Sequence, residues 1–334
     1  MPTYSCLVRG GVVSAMLKNR WRLIRRAKMA ELPDLQGRHF LVTGCAQGSL
    51  GYATALQLLT HGAVVAITVR CNCNAIADAL RQQLPACFHK NIYAFNLDLS
   101  QYASVETFVG GYKATGLALD VLINNAGIHL DLMSKWASPQ RSADGFEIQW
   151  RVNYLGTAHL TWRLLPLLQV SAAQSGDSRV VSVVSQLYKR GLNSEFENPQ
   201  RPYNSWNAYG QSKLALVHLT DSIDQHYAEC GVTSYCLHPG AVYTNVAGKG
   251  LANSGVVELV RNAMAPLEKL LLKSPAQGAQ TQLFCATAPK ERLVSGKYYC
   301  DRRQVPISPQ MRDSLVAEQL WFNLQRWVEE YTAA

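Results

Sequence analysis

No Asn-x-Ser/Thr acceptor occurs in the 334 residues, and the first 30 hold no acid. Nowhere is there the uninterrupted run of about 18 apolar residues that a bilayer-spanning helix needs. Internal repeats, low-complexity tracts and a Pro/Gly/Ser-rich linker are also missing, so one domain behind a terminal leader is the simplest organisation. Metal-ligand spacing is absent as well. Cys71-Asn72-Cys73 is too tight for zinc-finger spacing, and no His pair supports it, so a metal site is not expected. The nine cysteines are scattered and odd in number, which favours reduced core thiols and a cytosol-facing body.

What is present is a globular composition, 48% apolar and 16% charged. The chain is long enough to bury one large core or two modest ones. Its net charge of +9 is unevenly placed. Arg9, Lys18, Arg20, Arg22, Arg25, Arg26 and Lys28 belong to the leader, and without these seven cations the other 304 residues carry only +2. A basic face on the domain itself is what nucleic-acid binding requires, so that function is excluded. Val12, Val13, Met16, Leu17, Trp21, Leu23 and Ile24 interleave with the cations. Residues 1–35 therefore read as a basic amphipathic leader, and residues 1–30 as a peripheral contact with an anionic membrane surface. An Arg-rich, acid-poor transit peptide for the mitochondrion is the alternative.

From residue 36 to 334 apolar runs alternate with helix-length segments, the pattern of a parallel sheet with crossover helices. Strands are expected at 39–43, 63–69, 92–96, 119–124, 179–185, 232–237 and 296–300, with helices at 50–61, 146–169 and 207–230 among those between them. The fold class is α/β, a single doubly wound and mainly seven-stranded parallel sheet. Residues 244–275 form an apolar lid insertion and 310–331 a C-terminal amphipathic helix. Such sheets bind ligands beyond the carboxyl ends of their strands, so motifs at those ends matter most.

Several fall there. Thr43-Gly44-Cys45-Ala46-Gln47-Gly48-Ser49-Leu50-Gly51 joins the first strand to the first helix, where glycines let a pyrophosphate approach a helix N-terminus. The second strand ends at Val69-Arg70. A carboxylate there would hold the ribose of NAD, whereas Arg70 suits the 2′-phosphate of NADP. NADP(H) is favoured, with NAD(H) as the alternative. Asp98 ends the third strand, placed to meet an adenine, and Asn125, Ala126 and Gly127 end the fourth. Ser185 ends the fifth, and Pro239-Gly240 with Thr244 follow the sixth. Tyr209 and Lys213, four residues apart, share a helix face. A neighbouring cation favours phenolate, which suits the phenol to moving a proton between alcohol and carbonyl.

These elements in this order resemble the short-chain dehydrogenase/reductase family over roughly residues 36–301. The likeness rests on Thr-Gly-x3-Gly, Asn-Asn-Ala-Gly, Asn153, Ser185, Tyr209-x3-Lys213 and Pro239-Gly240. Asp144-Gly145-Phe146-Glu147, Asn153-Tyr154-Leu155-Gly156, Gln211-Ser212-Lys213-Leu214-Ala215 and Lys273-Ser274-Pro275-x-x-Gly278-Ala279 resemble its retinol-dehydrogenase-like branch. The resemblance implies a Rossmann-type oxidoreductase interconverting a hydrophobic alcohol with its aldehyde or ketone, a retinoid or polyprenol-type isoprenoid. The alternatives are a steroid or other lipophilic carbonyl, or a non-catalytic scaffold of the same fold. It implies Tyr209 as general acid-base, Lys213 as its partner on the nicotinamide ribose, Ser185 on the substrate oxygen and Asn153 ordering a relay water. Gly44, Gly48 and Leu50 would wrap the pyrophosphate, Asp98 meet the adenine, Asn125 the ribose side and Thr244 the nicotinamide amide. A homodimer through helices flanking the sheet is implied by the same likeness, and the leader suggests attachment to the endoplasmic reticulum or a lipid droplet. Two departures stand out. Gly48 and Gly51 enclose two residues where the family has one, so either Gly48 or Ser49 takes the middle position, and Val184 replaces a Ser that often precedes Ser185.

Overall fold

The computed structural model describes residues 32–130, 138–196, 201–242 and 272–333. The leader to residue 31, most of the expected lid and Thr244 lie outside them. Eight strands form one sheet in the order β3-β2-β1-β4-β5-β6-β7-β8. They are β1 (His39–Thr43), β2 (Val64–Val69), β3 (Ile92–Asn96), β4 (Val121–Asn124), β5 (Ser178–Val183), β6 (Val232–His238), β7 (Lys297–Cys300) and β8 (Arg303–Gln304). The first seven pair in parallel and β8 is antiparallel to β7. The eighth strand was not expected, because two residues carry no alternation to detect.

Between the strands run α1 (Leu50–Thr60), α2 (Cys73–Arg81), α3 (Tyr102–Ala114), α4 (Ile148–Trp150), α5 (Gly156–Ser175), α6 (Ser205–Tyr227) and α7 (Pro275–Thr287), and α8 (Ser314–Ala333) ends the chain. A π turn, Arg151–Leu155, joins α4 to α5. Side chains alternate across each strand, and the two faces build two cores. Leu41, Leu122 and Val180 point to α3, α5, α6 and α8, among Phe108, Leu164, Leu216 and Leu324. Phe40, Val42, Ile123 and Val181 point to α1, α2 and α7, among Leu58, Leu80 and Leu283. Each fully buried aliphatic side chain stabilises the fold by roughly 1.5–3 kcal/mol relative to exposure.

Caps place the helices. The Ser49 hydroxyl accepts the Tyr52 N–H at the start of α1, and the Asn204 side chain accepts those of Trp206 and Asn207 at the start of α6. Ser274 and Gln277 make a reciprocal capping box on α7, with Pro275 in its first turn. Ser185 lies two residues beyond β5 and caps a short 3-10 turn, accepting the Leu187 N–H.

The strand order reverses between β1 and β4, so the turns after these two strands face each other across a crevice. Residues 32–38 approach β1 from the opposite edge: the Leu35 N–H donates to His61 O, and Arg38 pairs with Asp177 just before β5. The leader thus joins the domain across the sheet from the crevice. Of the eight described cysteines, Cys45, Cys236 and Cys285 are buried, while Cys71, Cys87 and Cys230 are exposed. The expectation of core thiols therefore holds for only part of the set.

Candidate active site at the carboxyl edge of the sheet

The cradle after β1 is made largely of main chain. Gly44 has φ +75°, and a Cβ there would lie 2.9 Å from Ala126 Cα. At Gly51 a Cβ would lie 2.5 Å from Asn125 Nδ2 and 2.7 Å from Gly44 O. These glycines let the β1 turn, the first turn of α1 and the loop after β4 come together. Gly48 differs: its φ is also +75°, but among the described residues nothing lies within 4 Å of its missing Cβ, and it sits at the N-terminus of α1. Ser49 is the helix cap, and its hydroxyl also donates to Gly44 O at 3.1 Å. The additional residue is therefore taken up by the cap, Gly48 keeps the open position, and Gly51 packs helix against strand. Leu50 contributes only its main chain, because its side chain is 8% exposed and belongs to the core beside Gly278.

Thr43 ties the two turns: its hydroxyl accepts the N–H groups of Asn125 and Ala126 at 3.0 and 2.9 Å. Asn125 Nδ2 donates to Thr43 O at 2.7 Å, and its buried Oδ1 has no hydrogen-bond partner among the described residues. Asp98 is fixed at the end of β3 by accepting from the Ser100 N–H and hydroxyl. Arg70 is exposed at the end of β2, and no ion pair holds it among the described residues. A positive helix end, an open glycine, an unpaired buried acceptor and an unpaired cation fit an extended dinucleotide.

On the other side of the crevice the groups are side chains. Tyr209 and Lys213 sit in the first half of α6, and Lys213 is only 3% exposed. The Lys213 ammonium donates to Val183 O at 3.0 Å and lies 5.6 Å from the Tyr209 ring centre. Burial pushes its pKa down to about 8. Burial likewise pushes Tyr209 up to about 12, and a hydrogen bond with Ser185 pulls the other way. Desolvation rather than the ammonium thus dominates the phenol here, contrary to what the four-residue spacing suggested. Asn153 lies in the π turn, wholly buried. Its Oδ1 accepts the Ile128 N–H at 2.7 Å, and its Nδ2 donates to Ile128 O at 2.9 Å and Ser212 Oγ at 3.1 Å. Gly127 is small because a Cβ would lie 3.2 Å from Lys213 Nζ and 3.3 Å from Asn153 Oδ1.

A model of the short chain dehydrogenase family matches residues 38–254. The chain belongs to that family. Mouse retinol dehydrogenase 14 is 36% identical over 297 residues, covering 86% of this chain and 84% of its own length. Human retinol dehydrogenase 12 is 34% identical, with 86% and 85% covered. The human dehydrogenase/reductase SDR family member 13 is 32% identical over 93% of this chain and 78% of its own. Among solved structures, an uncharacterised protein from Mycobacterium paratuberculosis superposes with a TM-score of 0.65 at 26% identity, over 90% of this chain and 96% of that one. The fold is shared with an NADH-dependent reductase bound to NAD, at a TM-score of 0.56 and 20% identity, covering 80% and 95%. This short-chain dehydrogenase is an oxidoreductase that uses a nicotinamide dinucleotide on a small-molecule substrate.

The structure brings Asn153 and Lys213 together at Gly127, with the Tyr209 ring beside Lys213 and Ser185 on Tyr209. Pro239 and Gly240 directly follow β6. Gly240 has φ +90° and leaves room for Lys273, which pairs with Asp301 at 2.5 Å. Val242 and Lys273 form a parallel bridge, joining the chain on either side of the undescribed segment. Three participants escaped the sequence reading. Gly51 and Ser212 were visible within the quoted motifs but had no assigned role. His129 had no sequence signal; its ring stacks on Tyr209 with centres 4.4 Å apart and meets Trp206 edge-on at 4.6 Å.

Proposed function

We propose that this enzyme reduces a lipophilic aldehyde or ketone with NADPH, its substrate a retinoid or a polyprenol-type isoprenoid. The observation that carries the reading is the Ser185–Tyr209 pair above a buried Lys213. Burial pushes the Tyr209 phenol up, and a protonated phenol paired with Ser185 can donate to a carbonyl oxygen. Ser185 gives the same oxygen a second hydrogen bond. Hydride transfer is the chemistry the nicotinamide supplies when bound. Lys213 holds the nicotinamide ribose. Arg70 takes the 2′-phosphate, Asp98 the adenine and Asn125, Ala126 and Gly127 the ribose side. Gly44, Gly48 and the first N–H of α1, at Leu50, take the pyrophosphate. Pro239, Gly240 and Thr244 border the nicotinamide. Both protons of the Asn153 amide are committed, to Ile128 O and Ser212, and its Oδ1 accepts the Ile128 N–H; the main-chain carbonyl in the π turn is the group assigned to order a relay water.

The retinol dehydrogenases among the relatives support the retinoid. The sequence resemblance to the X-linked dehydrogenase/reductase supports the polyprenoid. The basic leader tethers the enzyme to an intracellular membrane surface where such substrates reside. No described helix is long and apolar enough to cross a membrane. A homodimer through α5 and α6 would also meet α8, which packs mainly on α6 and touches α5.

The test is turnover of retinal, polyprenal and steroid ketones with NADPH and with NADH. Tyr209→Phe should lower kcat by about 10²–10⁴-fold with NADPH affinity unchanged. A fully active Tyr209→Phe enzyme would overturn the assignment, and preference for a steroid ketone would redirect the substrate.

A further inference from the structure

The Asp144-Gly145-Phe146-Glu147 motif has no part in the chemistry above, yet it closes around Arg151, the residue that opens the π turn. Arg151 is wholly buried. Its Nε donates to Asp144 Oδ2 at 2.6 Å and its Nη1 to Leu99 O at 2.7 Å. On the other side its guanidinium lies 5.1 Å from the centre of the Trp327 ring of α8, and Phe146 meets that ring edge-on at 6.2 Å. Burying a guanidinium is costly unless it is well paired, and among the described residues Nη2 has no hydrogen-bond partner. A helix that needed only packing would be served by an aliphatic side chain at this position. The carboxylate, the carbonyl and the aromatic face together hold the cation in one geometry.

That geometry passes directly to the turn. Arg151 O accepts the N–H of Gly156, five residues on, the bond that makes the turn π rather than α. Gly156 is pressed against Leu99, where any Cβ would run into Leu99 O and come within 3.0 Å of Arg151 Nη1. Leu99 directly follows Asp98. Asn153, inside the turn, in turn holds Ile128 and Ser212. The C-terminal helix is bound to the same cluster: the Tyr102 hydroxyl donates to Val328 O, and the Tyr102 ring stacks on His159 at 4.4 Å beside Trp327.

We infer that Asp144, Arg151 and Trp327 form a clamp that sets the π turn, and hence Asn153, against the cofactor-binding end of β3. The C-terminal helix thereby governs the catalytic geometry although this contact is remote from the reacting atoms. Arg151 and Trp327 are positioning residues, and the catalytic part of the inference rests on the role proposed for Asn153.

Two readouts on the full chain with NADPH test it. The first is hydrogen exchange of the 121–130 segment, because the Ile128 N–H is held by Asn153. Trp327→Leu and Arg151→Lys should speed exchange at Ile128 and leave the β1 and β5 amides protected. The second is a double-mutant cycle with the carbonyl turned over fastest in the panel above. Trp327→Leu alone should lower kcat by about 10–100-fold with KM and NADPH affinity little changed, the size expected of a small misplacement. Added to Asn153→Ala, it should cost almost nothing more. Unchanged Ile128 exchange, or losses that add fully, would overturn the clamp. Should Trp327→Leu fail to fold, Arg151→Lys carries the same comparison, because a lysine cannot keep the Nε and Nη1 bonds to Asp144 and Leu99 together. If Tyr209→Phe and Asn153→Ala stay active, the catalytic reading falls, while Ile128 exchange still judges the clamp.

Discussion

The two banks of the crevice are built from opposite materials. The β1 bank is made of atoms that are missing: Gly44, Gly48 and Gly51 carry no Cβ, and main-chain groups and one helix end do the binding. The β5–β6 bank is made of buried side chains: Ser185, Tyr209, Lys213 and Asn153, held by Val183 O, Ile128 and Ser212. A bank of main chain tolerates change wherever space is open and fails sharply where it is closed. A bank of buried polar groups is a standing cost to the fold, accepted for chemistry.

Lys213→Met gives the largest expected effect and breaks the comparison most directly. It should all but abolish turnover while raising Tm, since it removes a buried ammonium held by one carbonyl. The sign follows from the folded-state value of about 8 against an ordinary 10.5. The folded chain gives up this proton earlier than the unfolded chain, so the penalty is fully present below pH 8. It fades as pH rises from about 8 toward 10.5. The stability gap between Lys213→Met and the native chain should therefore be on the order of 3 kcal/mol at pH 7 and shrink at pH 10. Denaturant titration at both values checks this, and a destabilised variant would mean the ammonium is better satisfied than its single bond suggests.

The glycines sharpen the other side. Gly51→Ala should weaken NADPH binding by about tenfold or more and destabilise the fold by about 1–3 kcal/mol, because the new methyl meets Asn125 and the Gly44 carbonyl. Gly48→Ala has the same φ problem as Gly44 but no neighbour among the described residues, so only about 1 kcal/mol of backbone strain should appear in its stability. Equal losses in the two variants, measured by fluorescence titration and melting, would show that the cradle is not sorted into open and closed positions. The smallest effect is expected at Arg70→Ala. It should weaken NADPH several-fold and leave NADH unchanged, an effect on the order of 1 kcal/mol for one exposed contact. Equal weakening of both cofactors would remove the 2′-phosphate contact.

Reading the sequence went furthest where signals are local. Seven strands, the Gly-rich turn, Asn125 and the Tyr209–Lys213 spacing all depend on residues a few positions apart; the turn and Asn125 fall at carboxyl strand ends, and the Tyr209–Lys213 pair falls on α6. The short β8, with its turn through Asp301 and Arg302 at φ 50° and 62°, offers no such period. The spacing of Tyr209 and Lys213 also misled on one point. It implied an ammonium lowering a phenol, but the balance of desolvation against charge depends on what surrounds both groups, and only packing sets that.

By itself the sequence determined the alternation of strand and helix, the family, and the identity of the groups at the carboxyl edge, because hydrophobic period and motif spacing are properties of neighbours along the chain. The tertiary structure alone decided which glycine is free of described neighbours at its missing Cβ and which is pressed against backbone. It also decided that His129 stacks on Tyr209 and that Trp327 of the last helix closes over Arg151. Those contacts join residues from about 80 to 176 positions apart. No local pattern encodes them, since they come into being only when separate layers pack on one sheet.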